Sequence, residues 1–344
     1  ERNGGSGSSA RTAHAFSNVH TINFETDHVT LHEKLGQGGT ARVYRATVRG
    51  FSVACKVFFS SEYMSDLELD LVRSEIVMME SLYHPNIVNT LGHDFAEVSQ
   101  TLLYMELFPQ TLRDFLDEAR ELGLFFDSVM VHNFAQQVAS GLNYLHTLVV
   151  PIVHRDLKAE NIFIAKDGLG REPVLKIGDF GESQRLLKRA GTDDPAAARG
   201  NVGTPEFMAP ELFSRSFKAS LSGHQKVDVW AYGMVLFELL TLDIPYRSDG
   251  VDPFDMLDHV KRGNRPALPE RIEVSTELAP YVKLHRQCIH LRPEVRPSMS
   301  EILKRLGKAA STQNRRDYRR IVRSELTHAL LDAVANNDVR EVRR

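Results

Sequence analysis

Eight consecutive residues, His154-Arg155-Asp156-Leu157-Lys158-Ala159-Glu160-Asn161, place a carboxylate, an ammonium and a carboxamide on one short stretch. Asp156 could accept a proton from an attacking hydroxyl, Lys158 could neutralise phosphate charge, and Asn161 could hold a divalent metal. Phosphoryl transfer from ATP asks for those three services, because its barrier falls mainly through positioning and charge stabilisation. One short run can arise by chance. Its weight depends on matching groups elsewhere, in order and at workable distances.

Three further stretches supply such groups. Leu35-Gly36-Gln37-Gly38-Gly39-Thr40-Ala41-Arg42-Val43 falls between two predicted strands. Glycines let a backbone approach a triphosphate and aim N–H groups at it, although an ordinary hairpin turn reads the same way. A strand rather than a helix follows this loop, which argues against a dinucleotide-binding βαβ unit. In Val53-Ala54-Cys55-Lys56, alternation sends Ala54 and Lys56 to one face and Cys55 to the other. Lys56 could meet α- and β-phosphates if a carboxylate held its flexible stem, and Glu75 on the following helix is the candidate. Taken alone, Lys56 would read as a solvent-exposed lysine. Cys55 reads as core packing rather than as a reactive thiol. Asp179-Phe180-Gly181 follows an apolar strand at 174–177. Its carboxylate could coordinate magnesium, with Asn161 as the second protein ligand. Asp-Phe-Gly alone also describes an everyday turn, and its distance after Asp156 is what gives it weight.

The elements that must position these groups follow from periodicity. Short β-branched or aromatic runs predict strands at 29–35, 43–48, 52–58, 87–95 and 101–105. One amphipathic helix, 66–82, interrupts them, with Leu69, Val72, Ile76 and Met79 at helical spacing. After Pro109 the pattern turns helical, at 111–122, 127–147, 226–241, 253–262, 275–290 and 298–306. A strand-rich insert at 162–177 turns at Asp167-Gly168. A small sheet-rich lobe joined near Glu106 to a larger helical lobe is therefore expected, and a cleft between two such lobes is a natural ligand site.

Composition narrows the setting. A chain of 344 residues can bury a large core in about two domains or lobes. The net charge of −3 gives no global case for nucleic acid or an anionic membrane. No apolar stretch approaches the ~18 residues of a membrane span, and the start carries no secretory signal. With only Cys55 and Cys288, a disulfide framework is excluded and a reducing, cytoplasmic setting is expected. Residues 1–20 are rich in Gly and Ser and read as a flexible leader, and the opening Glu1 suggests a piece of a longer chain.

These stretches, with Ala209-Pro210-Glu211 and Asp228-Val229-Trp230-Ala231-Tyr232-Gly233 further on, resemble the eukaryotic protein kinase family over residues 29–306. The resemblance implies the two-lobed α+β fold: a five-stranded antiparallel lobe with one helix at 29–105 and a mainly helical lobe at 106–306. It implies an ATP- and Mg2+-dependent phosphotransferase acting on protein substrates in intracellular signalling. By resemblance, loop 36–43 covers the phosphates, so that Leu35, Gly36, Gly38, Ala41 and Val43 line the nucleotide. Lys56 would pair with Glu75, which is preferred over Glu68 and Glu80 for its distance before His84-Pro85-Asn86. Asp156 becomes the catalytic base beside Lys158, and Asn161 and Asp179 become the magnesium ligands. Val43, Ala54 and Phe163 would sandwich adenine, Met105 would flank the back of its pocket, and Glu106 to Phe108 would form the hinge. Glu211 would pair with Arg296 to anchor the activation segment.

Lys158 and the run 203–211 resemble serine/threonine kinases, since tyrosine kinases usually lack a lysine at that loop position. His84-Pro85-Asn86-Ile87-Val88 and residues 230–241 are similar to the tyrosine-kinase-like group. A pseudokinase scaffold and a dual-specificity kinase are the alternatives. The third loop glycine is replaced by Ala41, a small residue expected to be tolerated, with a stiffer loop or a modestly raised KM for ATP. Arg155 implies control by phosphate on the activation segment, yet 193–203 holds no Ser, Thr or Tyr. Thr192 is then the expected regulatory site, a constitutively ordered segment is the alternative, and Thr204 is expected to contact Asp156 and Lys158. Beyond Leu306 the chain turns basic, and residues 307–327 read as a solvated helical linker rather than a nucleic-acid patch. Residues 328–344 resemble the first helix and turn of an ankyrin repeat, which would add docking partners.

Overall fold

The structure is a computed structural model and describes residues 22, 24, 26–38, 41–59, 66–97, 100–166, 173–185, 204–213, 221–252 and 255–312. The expected leader at 1–20, Gly39 and Thr40, the turn Asp167-Gly168, Thr192, linker residues 313–327 and the fragment 328–344 lie outside the described residues. The chain divides into two compact units on either side of the Phe108–Pro109 bond.

The first unit is a five-stranded antiparallel sheet with one helix. Strands β1 (Thr30–Gln37), β2 (Ala41–Val48), β3 (Phe51–Phe58), β4 (Thr90–Glu97) and β5 (Gln100–Met105) lie in the order β1-β2-β3-β5-β4. Strands β2 and β3 are joined by Arg49 and Gly50, both at positive φ (50° and 86°), as a tight hairpin between right-twisted strands requires. Val43 stands opposite Lys56, Lys56 opposite Leu103, and Ala54 opposite Met105. Side chains alternate along each strand, so these five residues share one face. The other face carries Ala46, Val48, Val53, Cys55, Leu102 and Tyr104, which close with Val29 into a buried cluster. Helix α1 (Asp66–Glu80) buries Val72, Ile76 and Met79 at helical spacing. It ends two residues before the expected boundary, where Ser81 bonds back to the Met78 carbonyl through both its N–H (3.1 Å) and its hydroxyl (2.6 Å). The strand expected from residue 87 starts only at Thr90. Ile87 and Val88 are buried and β-branched, but after the turn at His84-Pro85, closed by Ile87 N–H to the His84 carbonyl at 3.0 Å, Ile87 makes only an isolated bridge and the continuous strand does not begin until Thr90.

The second unit is built round a buried helix. Helices α2 (Leu112–Glu121), α3 (Ser128–Thr147), α4 (Leu221–Thr241), α5 (Met256–Lys261), α6 (Glu270–Glu273), α7 (Ala279–Cys288) and α8 (Met299–Thr312) follow in chain order. Their starts carry side-chain caps: Thr111 with Asp114 on α2, Asp127 on α3, and Ser298 with Glu301 on α8. From Val227 to Leu242 every residue is buried, so this stretch of α4 is enclosed on all sides and serves as the core against which α3 and α7 pack. Strands β6 (Gln110–Thr111), β8 (Ile162–Lys166) and β9 (Pro173–Ile177) make one small sheet, and β7 (Ile152–Val153) pairs with β10 (Gln184–Arg185). The sequence did not announce β6, β7, β10 or the one-turn α6, because two to four residues carry no period. Among the described residues no helix is long and apolar enough to cross a membrane.

Candidate functional site

Lys56 projects from β3 on the face shared with Val43 and Ala54, and its Nζ lies 2.6 Å from Glu75 Oε1. Both side chains are about nine-tenths buried, at 11% and 12% exposure. A flexible lysine stem is thereby held in one place, braced further by the Phe58 ring 5.3 Å from Nζ. Glu80, the rival carboxylate on α1, is engaged by His93 instead.

The glycine loop can be tested against a phosphate. Gly36 stands opposite Val43 and Gly38 N–H donates to the Ala41 carbonyl at 2.9 Å. Neither glycine needs a positive φ; a Cβ added at Gly36 would meet nothing within 4 Å, and one at Gly38 only the Ala41 carbonyl at 3.9 Å. The fold itself therefore has no use for glycine at either position. What the missing side chains leave is room for a ligand to approach the backbone, which fits a triphosphate. Leu35 is half exposed on β1, Ala41 opens β2 fully buried, and Val43 and Ala54 are half-buried and buried. Glu106 and Phe108, both half-buried, follow β5 at the end of the first unit. Phe163 lies half-buried on β8 of the second unit, opposite Lys176 and Thr111.

Loop 154–161, between β7 and β8, is held from below by a carboxylate of the core helix. Asp228 on α4, fully buried, accepts the N–H groups of His154 and Arg155 on separate oxygens, each at 2.9 Å. His146 Nε2 lies 2.7 Å from the same carboxylate. Burial alone would push the Asp228 carboxyl upward, but the His146 bond and the nearby imidazole and loop N–H groups outweigh it and hold the acid below its ordinary range. A second core carboxylate, Glu238, accepts the Ala159 N–H at 3.1 Å and pairs with Arg113 at 2.9 Å. Burial raises its carboxyl, opposed by the Arg113 guanidinium. Arg155 takes a positive φ of 70° and Asp179 one of 54°, so the backbone is strained on both candidate segments.

On that platform four side chains converge. Asp156 Oδ1 accepts from the Thr204 N–H and from the Thr204 hydroxyl, each at 3.0 Å. Asp156 Oδ2 accepts from Asn161 Nδ2 at 2.9 Å and lies 3.3 Å from Lys158 Nζ. Lys158 Nζ donates to the Thr204 hydroxyl at 2.6 Å. Asn161 Nδ2 also donates to the Asp156 main-chain carbonyl at 2.7 Å, so its amide nitrogen is spoken for and its oxygen is the atom suited to a cation. Asn161 and Gly178 are the pair next in register after Ile162 and Ile177 of β8 and β9, tied by Gly178 N–H to Asn161 O at 2.9 Å. Asp179, exposed, follows directly. A carboxylate and a carboxamide oxygen from adjoining strand ends are hard donors that fit magnesium, with remaining positions left to phosphate and water. His154 Nε2 bonds the Gly178 carbonyl at 3.0 Å and its ring lies 5.0 Å from that of the buried Phe180.

Asp228 and Glu238 carry no role in the sequence reading. A signal existed: they are the only charged residues in the apolar run 227–242, and a buried carboxylate needs a partner. Two concavities of about 490 and 730 Å3 flank α7 and are lined by none of the candidate site residues.

Residues 29–306 match the family model of the protein kinase domain. The chain is 32% identical over 288 residues to the kinase and exchange factor for Rac B of Dictyostelium discoideum, covering 83% of this chain and 24% of that protein. It is 31% identical over 278 residues to the serine/threonine-protein kinase VIK of Arabidopsis thaliana (81% of this chain, 59% of that protein). With the serine/threonine-protein kinase Wnk of Drosophila melanogaster it shares 32% over 279 residues, 79% of this chain and 10% of that protein. The chain thus spans less than two thirds of the length of each of these relatives.

Proposed function

The chain belongs to the protein kinase family, and on that premise we propose that it is an ATP- and Mg2+-dependent serine/threonine kinase of protein substrates. The observation that carries this reading is the Thr204 hydroxyl, which donates to Asp156 at 3.0 Å while accepting from Lys158 at 2.6 Å. A short aliphatic hydroxyl thereby reaches carboxylate and ammonium together, the arrangement an attacking serine or threonine requires.

ATP supplies the phosphoryl group when bound, and the divalent cation spreads the charge that develops on the phosphate oxygens. Asp156 takes the acceptor hydroxyl's proton, and Lys158 neutralises charge beside it. Lys56, fixed by Glu75, meets the α- and β-phosphates, while loop 36–43 offers its N–H groups above them. Asn161 Oδ1 and the Asp179 carboxylate would hold the cation. Leu35, Val43, Ala54 and Phe163 provide apolar contact for adenine, and the main chain of residues 106–108 faces its polar edge. Arg155 and Thr192 are assigned to control, with Thr192 the phosphate acceptor; mass spectrometry of active protein with Thr192 unmodified removes that assignment. Kinship with the tyrosine-kinase-like group and an ankyrin repeat beginning at 328–344, for docking partners, rest on sequence pattern alone. A cytoplasmic setting is supported by the low cysteine count, with Cys55 and Cys288 both buried as free thiols.

The test is incorporation of labelled phosphate from ATP and Mg2+ into generic protein acceptors, followed by phosphoamino-acid analysis. Phosphoserine and phosphothreonine are expected, and Asp156→Asn should lower the rate by about 10²–10⁴-fold. Phosphotyrosine alone, or an unchanged rate in Asp156→Asn, contradicts the proposal.

A further inference from the structure

Three concavities, of about 730, 490 and 390 Å3, follow one another along α7. The first two share Glu273, Arg286 and His290, and the last two share Lys283, Gln287 and Arg305. They therefore make one trough, from the loop after α5, along the exposed side of α7, to α8. All of it lies within the second unit.

The trough carries one sign of charge. Lys283, Arg286, Arg292, Arg305 and Arg265 line it, and among the described residues Glu273 is the only carboxylate that does. Glu270, Glu277 and Glu294, exposed on neighbouring turns, line none of the three concavities. Such a wall stands out in a chain whose net charge is −3. Its cations differ in what already holds them. Arg265 belongs to the floor, 4.5 Å from the Trp230 ring and bonded to the Ile289 carbonyl at 2.8 Å. Arg286 pairs with Glu273 at the surface, where water makes an ion pair weak and exchangeable. Arg305 donates to Gln287 Oε1 at 2.5 Å, a neutral partner. Lys283 and Arg292 are exposed, and among the described residues their side chains have no ionic or hydrogen-bond partner. Like charges gathered on one concave wall repel one another, and an anionic ligand relieves that repulsion.

The rest of the lining selects the ligand class. Leu291 and Val295 line the first and second concavities and are 45% and 47% exposed. No Phe or Trp lines the trough and its one tyrosine, Tyr281, is buried, so a nucleic-acid base would have no ring to stack on. A concave wall cannot press all its cations against a flat bilayer. The stretch that follows α8 in sequence carries Arg315, Arg316, Arg319, Arg320 and Arg323, and its charge has the wrong sign. Spacing favours an extended peptide. Lys283 and Arg286 are three apart on a helix, about 5–6 Å between Cβ atoms. Alternate side chains of an extended segment lie ~7 Å apart on one side, within reach of both long cationic stems.

We propose that the trough along α7 is a docking groove for an extended acidic segment of a partner protein. Carboxylates at alternate positions of that segment meet Lys283, Arg286 and Arg292, and apolar side chains between them rest on Leu291 and Val295. None of the residues assigned to phosphoryl transfer lines the groove, so docking adds affinity without touching the chemistry.

The experiment is fluorescence anisotropy of the chain, without nucleotide, using a labelled peptide of about eight residues in which Glu alternates with Leu, ~26 Å when extended. Saturable binding is expected, weakened by added salt as the charges are screened. Lys283→Glu and Arg292→Glu should each weaken it about tenfold. Lys304→Glu makes the same reversal at an exposed position of α8 outside the trough, and should stay within about twofold of wild type. A peptide with Ser in place of Leu should bind several-fold more weakly. If either reversal lowers the melting temperature, Lys283→Gln and Arg292→Gln replace them, with a loss of about threefold expected. No saturable binding, equal losses in all three reversals, or equal affinity for the Ser peptide overturns the proposal. So does binding of single-stranded DNA or phosphatidylserine vesicles as tightly as the peptide, lost in the same two variants. Self-association in sedimentation that Lys283→Glu abolishes would give the groove to a second copy of the chain and refute the partner assignment.

Discussion

Arg296 and Glu211 meet fork to fork inside the second unit, with Nη1–Oε1 and Nη2–Oε2 at 2.6 and 2.7 Å. The guanidinium is 1% exposed and also donates to the carbonyls of His290 and Lys226, each at 2.8 Å. It lies 5.0 Å from the Trp230 ring, whose other cationic neighbour, Arg265, stands 4.5 Å away. Breaking such a pair leaves a buried charge without its counter-ion. Glu211→Ala is therefore expected to lower unfolding free energy by about 3–5 kcal/mol in urea titration. A loss below about 1 kcal/mol would mean that the cation reaches water.

Gly233→Ala should destabilise although alanine favours helices. A Cβ at Gly233 would lie 2.7 Å from Ile289 Cγ2 and 2.8 Å from Cys288 Cβ. Its φ is ordinary for a helix, so the requirement comes from the close approach of α4 to the end of α7. Overpacking typically costs about 1–3 kcal/mol, more than the helix gain of about 1 kcal/mol. Thermal melting checks this, and a variant as stable as wild type contradicts it.

His285 makes the second unit acid-sensitive. Its Nδ1 bonds the Gly233 carbonyl at 2.8 Å, and the ring is 2% exposed. Burial lowers its pKa from 6.5 to about 4, with the Gly233 bond opposing. Between those values the unfolded chain binds a proton that the native chain does not. The contribution to stability is therefore complete above pH ~6.5 and is lost as pH falls towards ~4, by roughly 3 kcal/mol. His285→Gln should flatten the acid side of the stability–pH curve by about that amount. An unchanged acid slope in urea titrations would refute this.

The groups that were legible in sequence are those whose chemistry is local. Asp156, Lys158 and Asn161 lie within six residues, and alternation alone put Lys56 and Ala54 on one face of β3 and Cys55 on the other. Glu75 could be named only through the family's spacing, because helical periodicity does not distinguish it from Glu80. Asp228 and Glu238 stayed silent because their partners lie more than seventy residues away, at His154, Arg155 and Ala159. Strand and helix ends shifted by a few residues where a local hydrogen bond, as at Ser81 or Ile87, overrode apolar content.

The attachment of loop 154–161 to α4 has a dynamic consequence. The amides of His154 and Arg155 belong to no helix or strand, yet each is bonded to a carboxylate with no exposure to water. Solvent can reach them only when Asp228 leaves, and Asp228 is a residue of the most deeply buried helix in the unit. Their exchange with deuterium should therefore follow global opening of that helix rather than loop fluctuation. A segment that is irregular in shape then belongs to the slowest-opening cooperative unit of the molecule, and Asp156 is the residue that comes next along it.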